Sequence, residues 1–333
     1  MASVYLLSVS HQPGDGLTRL RESAIRDPFG EHMLTDYPDD ADIILFVESW
    51  ETDWMLREVR RHPFVHKYRE KVFAVCEKDL VAHLLPGVYA NVDRASARSG
   101  RVRQGCYLWM YENPYVDHAP PSTDGMHLYS FVGSLSTDPI RKQLSLLQHP
   151  RGLIKDTSNQ NDYIWWEAPP EVKAQFRQEY ADTLRQSKFI LCPRGISPST
   201  VRLFETMKTG RVPVILSDDW VAPVGPDWDT FSVRVPEARI AELPAILEER
   251  ETNSERMGAK ARTAWESWFS PAVHFHRIVE WCLEIQSTRP LPERWGQYLA
   301  YADFCTRPVL LRQWIKDAIG SASAHSRRLL RSR

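Results

Sequence analysis

Between Lys188 and Asp219 the chain reads KFILCPRGISPSTVRLFETMKTGRVPVILSDD, and few folds accept such a passage. A short apolar run stops at Pro193-Arg194-Gly195. Ser197-Pro198 then opens an amphipathic segment, and a second apolar run ends in Asp218-Asp219. Strand, helix and strand follow one another directly. Strands alternating with helices imply a parallel sheet covered on both faces. The same alternation runs through the rest of the chain. SVYLLSVS (3–10), ADIILFVES (41–49) and EKVFAVCE (70–77) are apolar runs of strand length, with helical spacing in LTRLRESAI and WMLREVRRH between them. The Pro/Gly/Asp-rich NPYVDHAPPSTDG (113–125) reads as a linker. Beyond it lie a strand at 127–134, a helix from Pro139, a strand in RGLIKDTS, a helix over 171–187 and a strand in 229–237.

A chain of 333 residues exceeds what one core usually spans. The expected α/β fold is therefore two Rossmann-type domains facing a central cleft. Residues 1–125 form the first and 126–270 the second. Residues 271–333 supply helices packing back on the first domain, and a basic tail.

Forty-two basic residues against 43 acidic ones give a net charge of −1, which argues against a general nucleic-acid binder. Five scattered cysteines without CxxC spacing suggest neither a disulfide framework nor a zinc site. The opening MASVYLLSVS is too short for a signal peptide, and no apolar run reaches spanning length, so a cytoplasmic location is expected.

In the central passage Ser197 and Pro198 match an N-cap with proline at the first helical position, and Gly210 the residue just past the helix end. The spacing predicts a helix over about 198–209. Ser199, Arg202, Glu205, Thr206 and Thr209 share one sector of it; Leu203, Phe204 and Met207 lie opposite. The polar sector is expected to look away from the sheet, and a solvated Arg–Glu pair is the alternative reading of it. In open α/β sheets ligands sit beyond the carboxyl ends of strands, at helix N-termini that attract anions. Arg194 and Arg202 supply planar donors suited to a diphosphate, Glu205 an acceptor for ribose hydroxyls, and Asp218 and Asp219 polar groups facing the same crevice.

FILCPRGISPSTVRLFETMKTGRVPVILSDDWVAP, continued by DWDTFSVRVPEARIAELPAIL, resembles the signature of the exostosin-type glycosyltransferases of family 47, with weaker echoes in YSFVGS and Arg141. The resemblance covers roughly 128–250. It implies a GT-B fold, a nucleotide-sugar donor, UDP-linked, and transfer with inversion. It carries donor binding onto Arg194, Ser199, Arg202, Glu205 and Asp219, with Arg141, Gly195, Ser197 and Asp218 as further donor-site candidates. Without an anchor or second catalytic domain in its sequence, the chain is similar to bacterial cytoplasmic members.

Transfer needs a base for the acceptor hydroxyl; Glu48, Glu112 and His11 are the candidates, Glu48 foremost because it ends a strand. The diphosphate would be met by the helix N-terminus and the arginines, so no metal or cofactor is expected. Asp227-Trp228-Asp229 resembles a DxD metal motif but does not follow a buried strand directly. Gly14 and Gly16 form only a GxG fragment. Trp165 and Trp166 would stack on an acceptor sugar or pack in the core. Arg327, Arg328, Arg331 and Arg333 would touch anionic lipid, useful for a lipid-linked glycan acceptor, or form a solvated end. The function expected is sugar transfer to a glycan or glycolipid in surface polysaccharide synthesis. The alternatives are a non-catalytic nucleotide-sugar sensor or scaffold, and a hydrolase, for which no GxSxG elbow exists.

Overall fold

The computed structural model describes residues 1–9, 15–49, 52–107, 112–118, 126–160, 163–308 and 310–317. His11, Gly14 and the four arginines of the C-terminal tail lie outside these residues, as does the Trp165 side chain.

The first half contains β1 (Ala2–Leu7), α1 (Asp15–Ile25), β2 (His32–Leu34), β3 (Ile43–Glu48), α2 (Arg57–Arg61), α3 (Pro63–Lys67), β4 (Val72–Cys76), β5 (Gly87–Tyr89), α4 (Arg94–Ala97) and β6 (Val102–Gln104). Its strands form one parallel sheet in the order β2-β1-β3-β4-β5-β6. β3 and β4 are buried at every position, because helices cover both faces of a parallel sheet.

The second half contains β7 (His127–Gly133), α5 (Pro139–Leu144), β8 (Gly152–Asp156), α6 (Pro170–Arg185), β9 (Ser187–Pro193), α7 (Val201–Thr209), β10 (Val212–Leu216), β11 (Val233–Arg234), α8 (Leu243–Arg250) and α9 (Ser254–Trp268). Its parallel sheet runs β11-β10-β9-β7-β8. Two Rossmann-type sheets are thus observed, as the α/β reading required. The strand expected over 229–237 shrinks to Val233–Arg234, because Trp228–Thr230 takes a 3-10 turn.

Two further helices follow, α10 (His274–Thr288) and α11 (Glu293–Cys305). α10 lies against the first half: the Phe275 N–H donates to Ser23 Oγ at 2.9 Å. Arg101, buried beside β6, pairs with Glu293 of α11. One apolar cluster runs from Leu6, Val47 and Tyr107 through Phe204 and Phe269 to Trp281, so the two halves share core.

The carboxyl edges of the two sheets meet. Asp93, beyond β5, forms an antiparallel bridge with Trp220, beyond β10. Asp79, beyond β4, accepts hydrogen bonds from Tyr107 Oη at 2.8 Å and from Ser197 Oγ at 3.2 Å. Each sheet also reverses its strand order at this edge, between β1 and β3 in the first and between β7 and β9 in the second. Such switch points are where open α/β sheets hold ligands.

Candidate functional site

At the second switch point β7 ends in Gly133 and β9 in Pro193, followed by Arg194 and Gly195. Each strand end leaves room for an arginine through a missing side chain. A Cβ on Gly133 would stand 2.6 Å from Arg202 Nη2, and one on Gly195 would stand 2.8 Å from Arg141 Nη2. Glycine at these two positions is therefore a demand of close approach rather than of backbone conformation.

Arg202 is only 8% exposed. Its Nη2 donates to the Val132 carbonyl at 2.6 Å, and its guanidinium sits 4.5 Å from the centre of the Phe131 ring. Its Nε is buried with no partner, and no carboxylate lies within ion-pair distance of it among the described residues. Burying a cation without a counter-ion is costly. The open Nε leaves this guanidinium a donor for an incoming anion.

Arg141 donates through Nε to the Arg194 carbonyl at 2.8 Å, through Nη1 to Ser134 at 3.2 Å and through Nη2 to Pro193 at 3.4 Å. Burial, and secondarily the adjacent Arg202, push its pKa down to about 10. With its donors on carbonyls, Arg141 holds the β9 turn in shape. Arg194 faces Asp138, Asp219 and Glu237 at 3.5, 3.6 and 3.9 Å, all longer than a formed charged hydrogen bond. Asp218 turns its carboxylate to the Glu237 N–H at 3.2 Å, while its own N–H donates to Glu237.

Helix α7 begins at Val201 behind Thr200, which makes no side-chain cap bond. The predicted start at Pro198 is corrected by three residues. Ser197 Oγ is engaged by Asp79 and Tyr107 instead of capping. The first amides of α7 are left without a cap, and Ser199 Oγ beside them is buried without a partner. Uncapped amides at the positive end of a helix dipole receive anions. Gly210 ends the helix at φ 72°, the left-handed cap expected of it.

The polar sector of α7 does not look away from the fold. Arg202, Thr206 and Thr209 are all buried. They tolerate burial because Thr206 Oγ1 donates to the Arg202 carbonyl at 2.6 Å and Thr209 Oγ1 to the Thr206 carbonyl at 2.8 Å. Glu205 accepts from Tyr180 Oη at 2.6 Å, and burial raises its pKa. It lines a shallow groove together with Tyr107, Glu112, Phe204, Lys208 and Trp265.

The candidate bases divide by their hydrogen bonds. Glu48, 3% exposed, ends β3 at the first switch point. Burial raises its pKa, but both oxygens are occupied: Oε1 accepts from the Val9 N–H at 2.9 Å, Oε2 from Thr52 Oγ1 at 3.0 Å and Ser8 Oγ at 3.4 Å. It clips the loops after β1 and β3. Glu112 pairs with Arg19 of α1 at 2.6 Å and faces Lys208 of α7 at 3.8 Å, tying the two halves together. Asp79 was not singled out in the sequence. Its Oδ1 takes the bonds from Tyr107, Ser197 and Asn91 Nδ2, while Oδ2 has no partner among the described residues. Trp166 is 69% exposed, in the Tyr163–Glu167 turn between β8 and α6.

Two Rossmann-type parallel sheets whose carboxyl edges meet over a shared core define a two-domain α/β protein. More particularly, residues 108–250 match the Exostosin GT47 domain model. Over 73 residues the chain is 37% identical to the exostosin-1 homolog of Caenorhabditis elegans, covering 21% of this chain and 19% of that protein. Over 146 residues it is 30% identical to a probable glucuronosyltransferase of Oryza sativa subsp. japonica, covering 39% of this chain and 33% of that protein. The matched segments thus span a third or less of these relatives. A glycosyltransferase structure from Rickettsia africae ESF-5 covers 86% of this chain and 98% of that chain, at 10% identity and a TM-score of 0.40, too distant to carry an argument. Among the described residues no helix is long and apolar enough to cross a membrane.

Proposed function

We propose that the protein transfers a sugar from a nucleotide diphosphate, UDP-linked, to a hydroxyl of a glycan or glycolipid acceptor, with inversion at the anomeric carbon. The observation that carries this reading is Arg202, a buried cation with an unpartnered Nε and, among the described residues, no carboxylate within ion-pair distance. A diphosphate supplies the missing charge. Arg194 turns to it from its loosely held carboxylates, and the uncapped amides of α7 and Ser199 Oγ complete the cradle.

In the transfer step the acceptor oxygen attacks the anomeric carbon and the bond from that carbon to the phosphate oxygen breaks. The bonding electron pair leaves with the diphosphate, whose growing charge is met by the two guanidiniums and the α7 N-terminus. No metal is required for this role. The acceptor proton passes to Asp79 Oδ2, the free carboxylate oxygen across the crevice; Oδ1 stays anchored by Tyr107 and Ser197. The groove beside Glu205 and the exposed Trp166 are the surfaces offered to the rest of donor and acceptor.

The test is a panel of nucleotide sugars assayed for released nucleoside diphosphate in the presence of glycan and lipid-linked acceptors. One donor should turn over, with product of inverted configuration. Absence of both binding and release across the panel would remove the proposal.

A further inference from the structure

A second cluster of polar groups lies away from the crevice, where α10 crosses the opening strand-edge of the first sheet. His32 is the first residue of β2, and His276 and Glu280 stand one turn apart on α10. One ligand atom from each of Glu31, His32, His276 and Glu280 lies within 4.8 Å of the others. His32 Nε2 is 2.9 Å from Glu280 Oε1. The two imidazoles are buried, with side-chain exposures of 2% and 5%, and their ring centres are 5.0 Å apart. Glu31 and Glu280 are exposed, so the cluster opens to solvent on their side.

Three atoms here are buried without a hydrogen-bond partner: His32 Nδ1, His276 Nδ1 and Asp27 Oδ2. Such orphans are uncommon, and three in one cluster need a physical cause. Asp27 Oδ2 stands 4.0 Å from His276 Nδ1, so a small closing movement would let this carboxylate accept from the ring and orient it as a ligand through the other nitrogen. Phe29 stacks on the His276 ring at 4.0 Å and fixes its plane.

We propose that Glu31, His32, His276 and Glu280 form a binding site for a divalent transition-metal ion of the zinc type, clipping α10 to the first domain. Two imidazole nitrogens with two carboxylate oxygens suit this class of ion, and four such donors complete a tetrahedral shell. That shell needs donor separations of about 3.3 Å, so the side chains close in slightly from their present spacing. The ion joins the segment after α1 to a helix distant in sequence, and its role is to hold α10 in place rather than to take part in transfer.

The full chain, stripped with a chelator, is titrated calorimetrically with Zn²⁺, and separately with Co²⁺ while its visible absorption is followed. The expected result is one equivalent per chain, a tetrahedral Co²⁺ spectrum, and a rise in unfolding temperature with Zn²⁺. His32→Ala with His276→Ala should weaken binding by at least about a hundredfold, beyond the loss of an outer-shell partner. Should that double variant fail to fold, Glu280→Gln, on the exposed side, should still weaken binding at least about tenfold. Lack of binding at millimolar Zn²⁺, or binding that survives in both variants, would overturn the site. Neither result bears on whether a nucleotide sugar binds at Arg202.

Discussion

Replacing Arg202 by methionine separates a cation kept for a ligand from one kept for the fold. Methionine is unbranched, fills much of the same space and suits a helix. Without ligand the variant loses the charged hydrogen bond to the Val132 carbonyl, about 1.5–3 kcal/mol, and the contact with the Phe131 ring, about 0.5–2 kcal/mol. It also ceases to bury an uncompensated cation, a penalty of several kcal/mol. The two sides offset, so the unliganded variant should unfold within about 2 kcal/mol of the parent. Donor binding should behave differently. Removing one partner of a buried charge pair costs about 2–5 kcal/mol, or roughly 30- to 5,000-fold in affinity for UDP. At UDP one hundred times the parent's Kd the parent gains about 2.7 kcal/mol, and a variant binding a hundredfold more weakly gains about 0.4 kcal/mol. Calorimetric titration with UDP, paired with thermal unfolding with and without it, reads both quantities. UDP affinity within threefold of the parent in a folded variant would refute the reasoning. Collapse of the unliganded fold would show that the cation serves the structure instead.

Three further outcomes follow from the same geometry. Asp79→Asn should bind UDP normally but transfer about 10²–10⁴-fold more slowly, whereas Glu48→Gln should lose less than tenfold in single-turnover rate; the reverse order would return the base to Glu48. Gly195→Ala should destabilise the chain by about 1–3 kcal/mol in denaturant unfolding, because the new Cβ meets an Arg141 guanidinium already fixed on three carbonyls. Glu251 is held at about 2 by a two-pronged bond from Arg151 at 2.6 and 2.7 Å, and further by Lys188. Its folded pKa is depressed, so its contribution is present above the ordinary carboxylate value of 4.5 and fades as pH falls towards 2. Glu251→Gln should flatten the stability profile between those values, and an unchanged acid limb would contradict the pairing.

Much of the frame was legible in the sequence because it rests on local signals. The β3 and β4 runs are continuous apolar stretches, Pro139 opens a helix behind Asp138, and Gly210 closes α7 with a positive φ. The strands β2, β5 and β6 were not, because three residues are too few to show a period. Ser197-Pro198 looked like a helix start, yet the serine's hydroxyl is claimed by Asp79, a residue 118 positions away. That same separation hid Asp79 itself, since nothing around it in CEKDL marks it as facing a crevice. The buried polar face of α7 was misjudged for a related reason: a helix wheel records which residues share a side, not whether a strand carbonyl or an incoming anion waits there to satisfy them.

The most direct measurement is a crystal structure of the protein grown with UDP. The account predicts both phosphates at the carboxyl ends of β7 and β9, within hydrogen-bonding reach of Arg194, Arg202 and the first amides of α7, with Asp79 across the gap. UDP seated at the first sheet, or on the outer surface with Arg202 Nε still unpartnered, would contradict it.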